Sequence, residues 1–133
     1  MNITVSTSVQ APLAEVWRAY TTPEDIMRWN TASPDWHTTS ATVDLRAGGK
    51  FCSRMEAKDG SFGFDFEGEY TCVEPCQRIE YAFGERSAVV TFHEAAKGVT
   101  VTVTFEGETT HSEEQQRSGW QAILDNFARH VQG

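Results

Sequence analysis

The stretch FCSRMEAKDGSFGFDFEG, Phe51 to Gly68, decides the fold. At its centre is Asp59-Gly60, a pair suited to a two-residue type I′ turn because glycine, and with more strain aspartate, adopts positive φ. Pairing outward from that turn sets Met55 opposite Phe64, Ser53 opposite Phe66 and Phe51 opposite Gly68, all on one face of an antiparallel ribbon. The alternate positions, Cys52, Arg54 and Glu56 against Glu67, Asp65 and Gly63, make a charged face with Arg54 directly opposite Asp65. Side chains in a strand repeat every second residue, so a slip of one would turn the phenylalanines into water. The pattern therefore fixes the register.

The same inner face continues downstream. Glu74-Pro75-Cys76-Gln77 reads as a four-residue loop, which sets Tyr70 opposite Tyr81, Cys72 opposite Ile79 and Gly68 opposite Phe83. Loops at Gly84 to Ser87 and at Ala95 to Gly98 then align Tyr81 with Val90, Ile79 with Phe92, Phe92 with Val101, Val90 with Val103 and Ala88 with Phe105. Thr100, Thr102 and Thr104 fall on the solvent face, where β-branched polar residues belong. A sheet with one apolar face needs a cover, and the end of the chain supplies it. Ser112 and Gln115 stand in capping-box spacing and open a helix predicted to run to about Val131, with Trp120, Ile123, Leu124, Phe127 and Val131 at helical intervals. Glu113 and Glu114 suit its positive start, Arg129 and His130 its negative end. With no helix between consecutive strands the meander is antiparallel, which makes the class α+β.

The N-terminal part completes the plan. Ile3, Val5, Thr7 and Val9 alternate in a strand from Asn2 to Val9, and Ala11-Pro12 starts a helix with Leu13, Val16, Trp17 and Tyr20 on one side. A second short helix follows, with Thr22 as its cap, Pro23 at its first position, Glu24 and Asp25 at its positive end, then Ile26, Met27 and Trp29. Asn30 to Thr39 reads as a loop containing Trp36 and His37, and a strand follows from Ser40 to about Leu45. Ala47-Gly48-Gly49 marks a bend or bulge.

A chain of 133 residues is read as one domain, residues 1–133, large enough for a sizeable core. It shows no signal sequence and no apolar run near the ~20 residues that span a bilayer, so a cytoplasmic protein without membrane contact is expected. A formal charge of -8 with no basic cluster opposes nucleic acid and anionic membranes as partners. Cys52, Cys72 and Cys76 are too few and odd in number for a disulfide scaffold and read as thiols in a reducing compartment. His37, His93, His111 and His130 are scattered without metal-ligand spacing, and no GxSxG, phosphate loop or GxGxxG is present, so neither metal nor cofactor is expected.

Several segments carry a resemblance. The run Ala11-Pro12-x3-Val16-Trp17-x2-Tyr20-Thr21-x-Pro23-Glu24, then Arg28-Trp29, resembles the opening of the Activator of Hsp90 ATPase homologue 1-like (AHSA1-like) family, within the START-like, or Bet v 1-like (SRPBCC), superfamily. Asp44-Leu45-Arg46-Ala47-Gly48-Gly49-Lys50-Phe51, Gly68-Glu69-Tyr70-x2-Val73-Glu74-Pro75-x2-Arg78-Ile79-x-Tyr81, and Gly119-Trp120-x3-Leu124-Asp125-Asn126-Phe127 fit in order across almost the whole chain. The resemblance implies a helix-grip fold: a curved antiparallel sheet around a long C-terminal helix, two short helices at one end, and often a hydrophobic cavity between sheet and helix. Superfamily members include carriers of lipids, hormones and polyketides as well as cyclases and hydrolases. The family's name comes from a co-chaperone whose Hsp90-stimulating activity also involves a separate N-terminal domain, for which this chain has no room, so Hsp90 activation is not expected of it.

The expected site is that cavity. Its walls are Phe51, Ser53, Met55, Phe64, Phe66, Tyr70, Tyr81, Phe83, Val90, Phe92, Val101 and Val103 from the sheet and Trp120, Leu124 and Phe127 from the helix, with Trp29 and Trp36 closing the mouth. Such an aromatic lining with a few hydroxyls suits a small molecule. Tyr70 and Tyr81 are the most telling pair, because two buried phenols face to face each need a hydrogen-bond partner that hydrocarbon does not give. The leading expectation is a module that binds a small hydrophobic or aromatic ligand. The alternatives are an enzyme of the polyketide cyclase or hydrolase kind, with Tyr70, Tyr81 or His37 as acid or base in the same cavity, and an Hsp90-associated or other protein-interaction module acting through the acidic outer sheet or Trp36. A homodimer through the outer sheet or an edge strand stays open.

Overall fold

The computed structural model describes residues 1–133. In chain order it contains β1 (Asn2–Val9), α1 (Leu13–Thr21), α2 (Pro23–Trp29), β2 (Trp36–Val43), β3 (Lys50–Ala57), β4 (Gly63–Glu74), β5 (Arg78–Phe83), β6 (Arg86–Ala95), β7 (Gly98–Glu106) and α3 (Glu113–Gln132). The strands form one seven-stranded antiparallel sheet in the order β1-β7-β6-β5-β4-β3-β2. The sheet curls around α3 in a helix-grip arrangement, as expected for the α+β class. No helix is long and apolar enough to cross a membrane.

The β3–β4 register is the one read from the sequence: Met55 pairs with Phe64, Ser53 with Phe66, Phe51 with Gly68 and Arg54 with Asp65. The turn itself is not type I′. Asp59 keeps a negative φ and only Gly60 is left-handed (φ 79°), while Gly60 N donates to Ala57 O at 2.9 Å and Asp59 Oδ1 accepts from Ser61 N at 2.8 Å. The loop is thus Lys58 to Ser61, centred on the same point as the shorter turn, which leaves the pairing unchanged.

The next two hairpins differ in detail. Between β4 and β5 the loop is Pro75 to Gln77, with Cys76 left-handed at φ 62°, and a bulge between Tyr70 and Cys72 takes up the missing residue. Tyr70 still faces Tyr81, but Val73, not Cys72, pairs with Ile79, and Cys72 faces Glu80. The bulge turns the apolar Val73 onto the core and leaves the thiol outside beside Glu74. Between β5 and β6 the turn shrinks from the expected Gly84–Ser87 to Gly84-Glu85 because Gly84 takes φ 62°. Tyr81 therefore pairs with Ala88 and Ile79 with Val90, rather than with Val90 and Phe92. A shift of two preserves the face of every side chain. The β6–β7 pairs are as read.

Two N-terminal expectations also change. Trp36 and His37 belong to β2, not to a loop: Trp36 pairs with Ala57 and Lys58 N donates to Asp35 O at 2.8 Å, which extends the edge strand to the tip of the β3–β4 hairpin. Thr22 caps α2 through its backbone only, since its carbonyl accepts from Ile26 N at 2.9 Å and its side chain makes no cap bond. By contrast α3 opens on the expected capping box, Gln115 N to Ser112 Oγ and Ser112 N to Gln115 Oε1, both 3.1 Å. The core lies between sheet and α3, where Phe105 stacks on Trp120 at 3.9 Å and Phe127, Ile3, Val9, Val16, Val90 and Val101 are fully buried.

Candidate functional site

Where β3, β4 and β5 curl away from α3, packing leaves a cavity of about 310 Å³. The backbone at its edge is fixed by the Ala47-Gly48-Gly49 bend. Gly48 N donates to Tyr70 O and Tyr70 N to Gly49 O, both at 2.8 Å, so the bend clamps the strand at Tyr70 from both sides of its peptide. Gly48 takes φ 87°, and a Cβ on Gly49 would lie 2.0 Å from Asp44 O, so the bend needs both glycines.

Of the residues read from the sequence as walls, Trp29, Phe51, Ser53, Met55, Phe64, Phe66, Tyr70, Tyr81, Val103, Trp120 and Leu124 line this space. Phe83, Val90, Phe92, Val101 and Phe127 do not; they are buried in the packed core around it. Phe92 and Phe127 lie edge-on to Tyr20 at 5.4 and 5.1 Å, and Phe83 packs between Phe66 and Trp120 at 5.6 and 5.8 Å. Trp29 is an inner wall rather than a lid, 5% exposed, with its Nε1 donating to Ala19 O at 3.0 Å. Trp36 stands away at the hairpin tip, 6.0 and 5.9 Å from the Phe62 and Phe64 rings. His37 is exposed, opposite Glu56 on the outer face, and does not reach the cavity.

The structure adds Tyr20, Ile26, Asn30, Ile79, Arg86 and Ile123. Tyr20 and Ile123 lie on the apolar stripes of their helices, so amphipathic spacing carries a signal for them. Ile79 follows from the inner-face register. Arg86 carried none, because its place at the rim depends on the tight Gly84-Glu85 turn.

The cavity's polarity is confined to a few groups. Ser53, Tyr70 and Tyr81 are 5, 7 and 8% exposed, and their hydroxyls, like that of Tyr20, make no hydrogen bond to another protein group. No fully enclosed side-chain oxygen or nitrogen is without a partner, so these hydroxyls open onto the cavity rather than into hydrocarbon. Burial, reinforced by the neighbouring phenols, raises Tyr20 and Tyr81 well above the ordinary tyrosine range, the nearby Arg86 opposing only part of the rise at Tyr81. Burial, with the Asp44 carboxylate, pushes Tyr70 up to about 12. All three are neutral donors at physiological pH. No carboxylate lines the cavity.

The outer face of the sheet has the expected charged character. Arg54 bridges Glu56 at 3.0 Å and Asp65 at 3.4 Å, and Cys52, Asp65 and Glu67 bring donor atoms within 4.8 Å of one another. Burial and the two carboxylates raise the Cys52 thiol, which keeps it protonated. All three cysteines are free thiols.

Residues 10–132 match the family described as Activator of Hsp90 ATPase homolog 1-like protein. An AHSA1-like protein from Aeromonas hydrophila, solved in solution by NMR, is 46% identical with a TM-score of 0.93, the match covering 98% of this chain and 92% of that one. A protein from Cytophaga hutchinsonii is 42% identical with a TM-score of 0.84 over 95% and 88% of the two chains. A protein from Nitrosomonas europaea at 23% identity shares the fold, with a TM-score of 0.87 over 98% and 94%. No functionally curated protein matches the sequence. Family and fold together support a ligand-binding or interaction module. On the match over nearly its whole length, the chain belongs to the Activator of Hsp90 ATPase homolog 1-like family.

Proposed function

We propose that the protein binds a small, largely apolar or aromatic ligand in the cavity between the sheet and α3. One observation carries this reading: a space of about 310 Å³ in which fourteen of the seventeen lining residues are hydrophobic is interrupted by buried hydroxyls without protein partners. Pockets for small organic ligands have this composition and begin at about 300 Å³. A core closed for stability alone would bring the β3–β4 side of the sheet onto α3 and remove the space, since packed interiors leave few voids.

The lining favours binding over acid–base turnover. A general base must work near physiological pH, whereas the three phenols hold their protons far above it and no carboxylate or histidine reaches the cavity. The test is native mass spectrometry of freshly purified protein with extraction of any bound compound, together with thermal unfolding against a broad panel of small aromatic and aliphatic compounds. A co-purifying molecule, or stabilisation by about 2.7 kcal/mol at a hundredfold excess over the dissociation constant, is the expected result. A clean mass with no stabilisation by any compound overturns the reading.

A further inference from the structure

We infer that the ligand carries a compact oxyanion, a carboxylate or its equivalent, on its apolar body, and that Tyr20, Tyr70 and Tyr81 hold this head with Arg86 as counter-charge; the inference rests on the binding reading above. The chain has three tyrosines, and all of them line this one cavity, arriving from α1, β4 and β5. Tyr70 and Tyr81 face each other across neighbouring strands, with the Phe51 ring 5.1 Å from each, and both are more than nine-tenths buried. Each phenol opens onto the cavity with no protein acceptor, and a charged acceptor satisfies such a donor more strongly than a neutral one. Three neutral phenol donors from three elements thus line one space, which suits a ligand that carries a hydrogen-bond acceptor.

Charge points the same way. Arg86 is the only charged residue in the lining, on a protein whose formal charge is -8. Its guanidinium lies 4.6 Å from the centre of the Phe83 ring and gives one hydrogen bond, 3.1 Å, to Glu106 O. It forms no ion pair, so donors remain for a ligand. Within the lining a cationic head meets the Arg86 charge and no carboxylate, whereas an oxyanion meets that charge and the phenol donors, opposed only from outside the lining by Asp44 at Tyr70.

Calorimetric titration with matched probes tests this: benzoate, 2-naphthoate and 4-phenylbenzoate, the corresponding methylarenes, and the corresponding arylmethylamines. The expected result is that at least one acid binds about tenfold or more tightly than its methylarene and that the amine binds weakest. Tyr70→Phe and Tyr81→Phe, which keep the ring and delete an unpaired hydroxyl, should each lower the ratio of acid to methylarene affinity about tenfold, and Arg86→Gln should lower it as well. Equal affinities for acids and methylarenes overturn the inference and leave the binding reading standing. An acid preference unmoved by all three substitutions overturns the assignment of these residues. Failure of every probe, hydrocarbons included, overturns both readings.

Discussion

At the scale of single residues, Gly68 shows how tightly the cavity wall is built. It sits opposite Phe51, whose ring folds over it and packs at 5.8, 5.1 and 5.1 Å against Phe66, Tyr70 and Tyr81. A Cβ at Gly68 would lie 2.3 Å from Ala82 O and 2.8 Å from the Phe51 ring. One contact is backbone, which cannot yield cheaply, and the other is the ring that shapes the cavity. Gly68→Ala is therefore expected to destabilise by about 1–3 kcal/mol, the usual range for overpacking. Urea denaturation measures it; a loss below about 0.5 kcal/mol would show that the strand relaxes and that Phe51 is not held in place. The residues of this wall were legible beforehand because each lies on a strand whose alternation is strict. Tyr70 faces Tyr81 as the alternation predicts, although the loop between them is one residue shorter than expected. The bulge at Thr71 absorbs that residue, and nothing in Tyr70-Thr71-Cys72 signals a bulge except that Val73 is the better core residue.

At the scale of elements, the chain relies on a few local devices to place whole strands and helices. The loop from β7 into α3 is held by Gln116, which is 8% exposed: its Nε2 donates to Glu108 O and His111 O, both at 3.0 Å, and its Oε1 accepts from Glu108 N at 2.8 Å. The capping box beside it is exposed and satisfies only the helix's own first turn. Gln116→Leu leaves backbone groups of the loop without partners, whereas Ser112→Ala removes one cap bond. Ser112→Ala is expected to cost about 1 kcal/mol and Gln116→Leu about 2–3 kcal/mol. The reverse order in thermal or urea unfolding would mean that water replaces Gln116 and that the cap sets the helix start. The capping box was readable from residue spacing, while Gln116 was not, since a glutamine in a helix looks like any solvated residue until its loop partners are known. The same limit applied to β2. Trp36 and His37 fall within the loop expected over Asn30 to Thr39, and only pairing with Ala57 and Glu56 makes them strand.

At the scale of the whole molecule, the architecture was legible because its strongest signals are long-range consistencies: one inner face from Phe51 to Phe105, one amphipathic closing helix, and no helices between strands. The size of the cavity was not. Whether inner-face side chains meet α3 or stop short of it depends on sheet curvature, which sums small twists over seven strands and leaves no mark on any one residue. The consequence of that curvature is that every tyrosine of the protein lines one partly enclosed space, which makes the fold sensitive to alkali. Burial raises the phenols above the unfolded value of 10.0 in all three cases, to about 12 for Tyr70. The native state then keeps protons that the unfolded chain gives up, so these groups contribute stability that is complete below about pH 10 and declines as pH rises through the raised values. Phenolate absorbance near 295 nm should stay absent from the folded protein past about pH 10 and appear together with loss of far-ultraviolet structure, because no exposed tyrosine exists to titrate first. Tyr70→Phe should make the decline of stability with pH shallower by up to one proton, which isolates the share of that phenol. Gradual phenolate formation in a chain that stays folded, with a midpoint near 10, would mean that burial does not hold these phenols protonated.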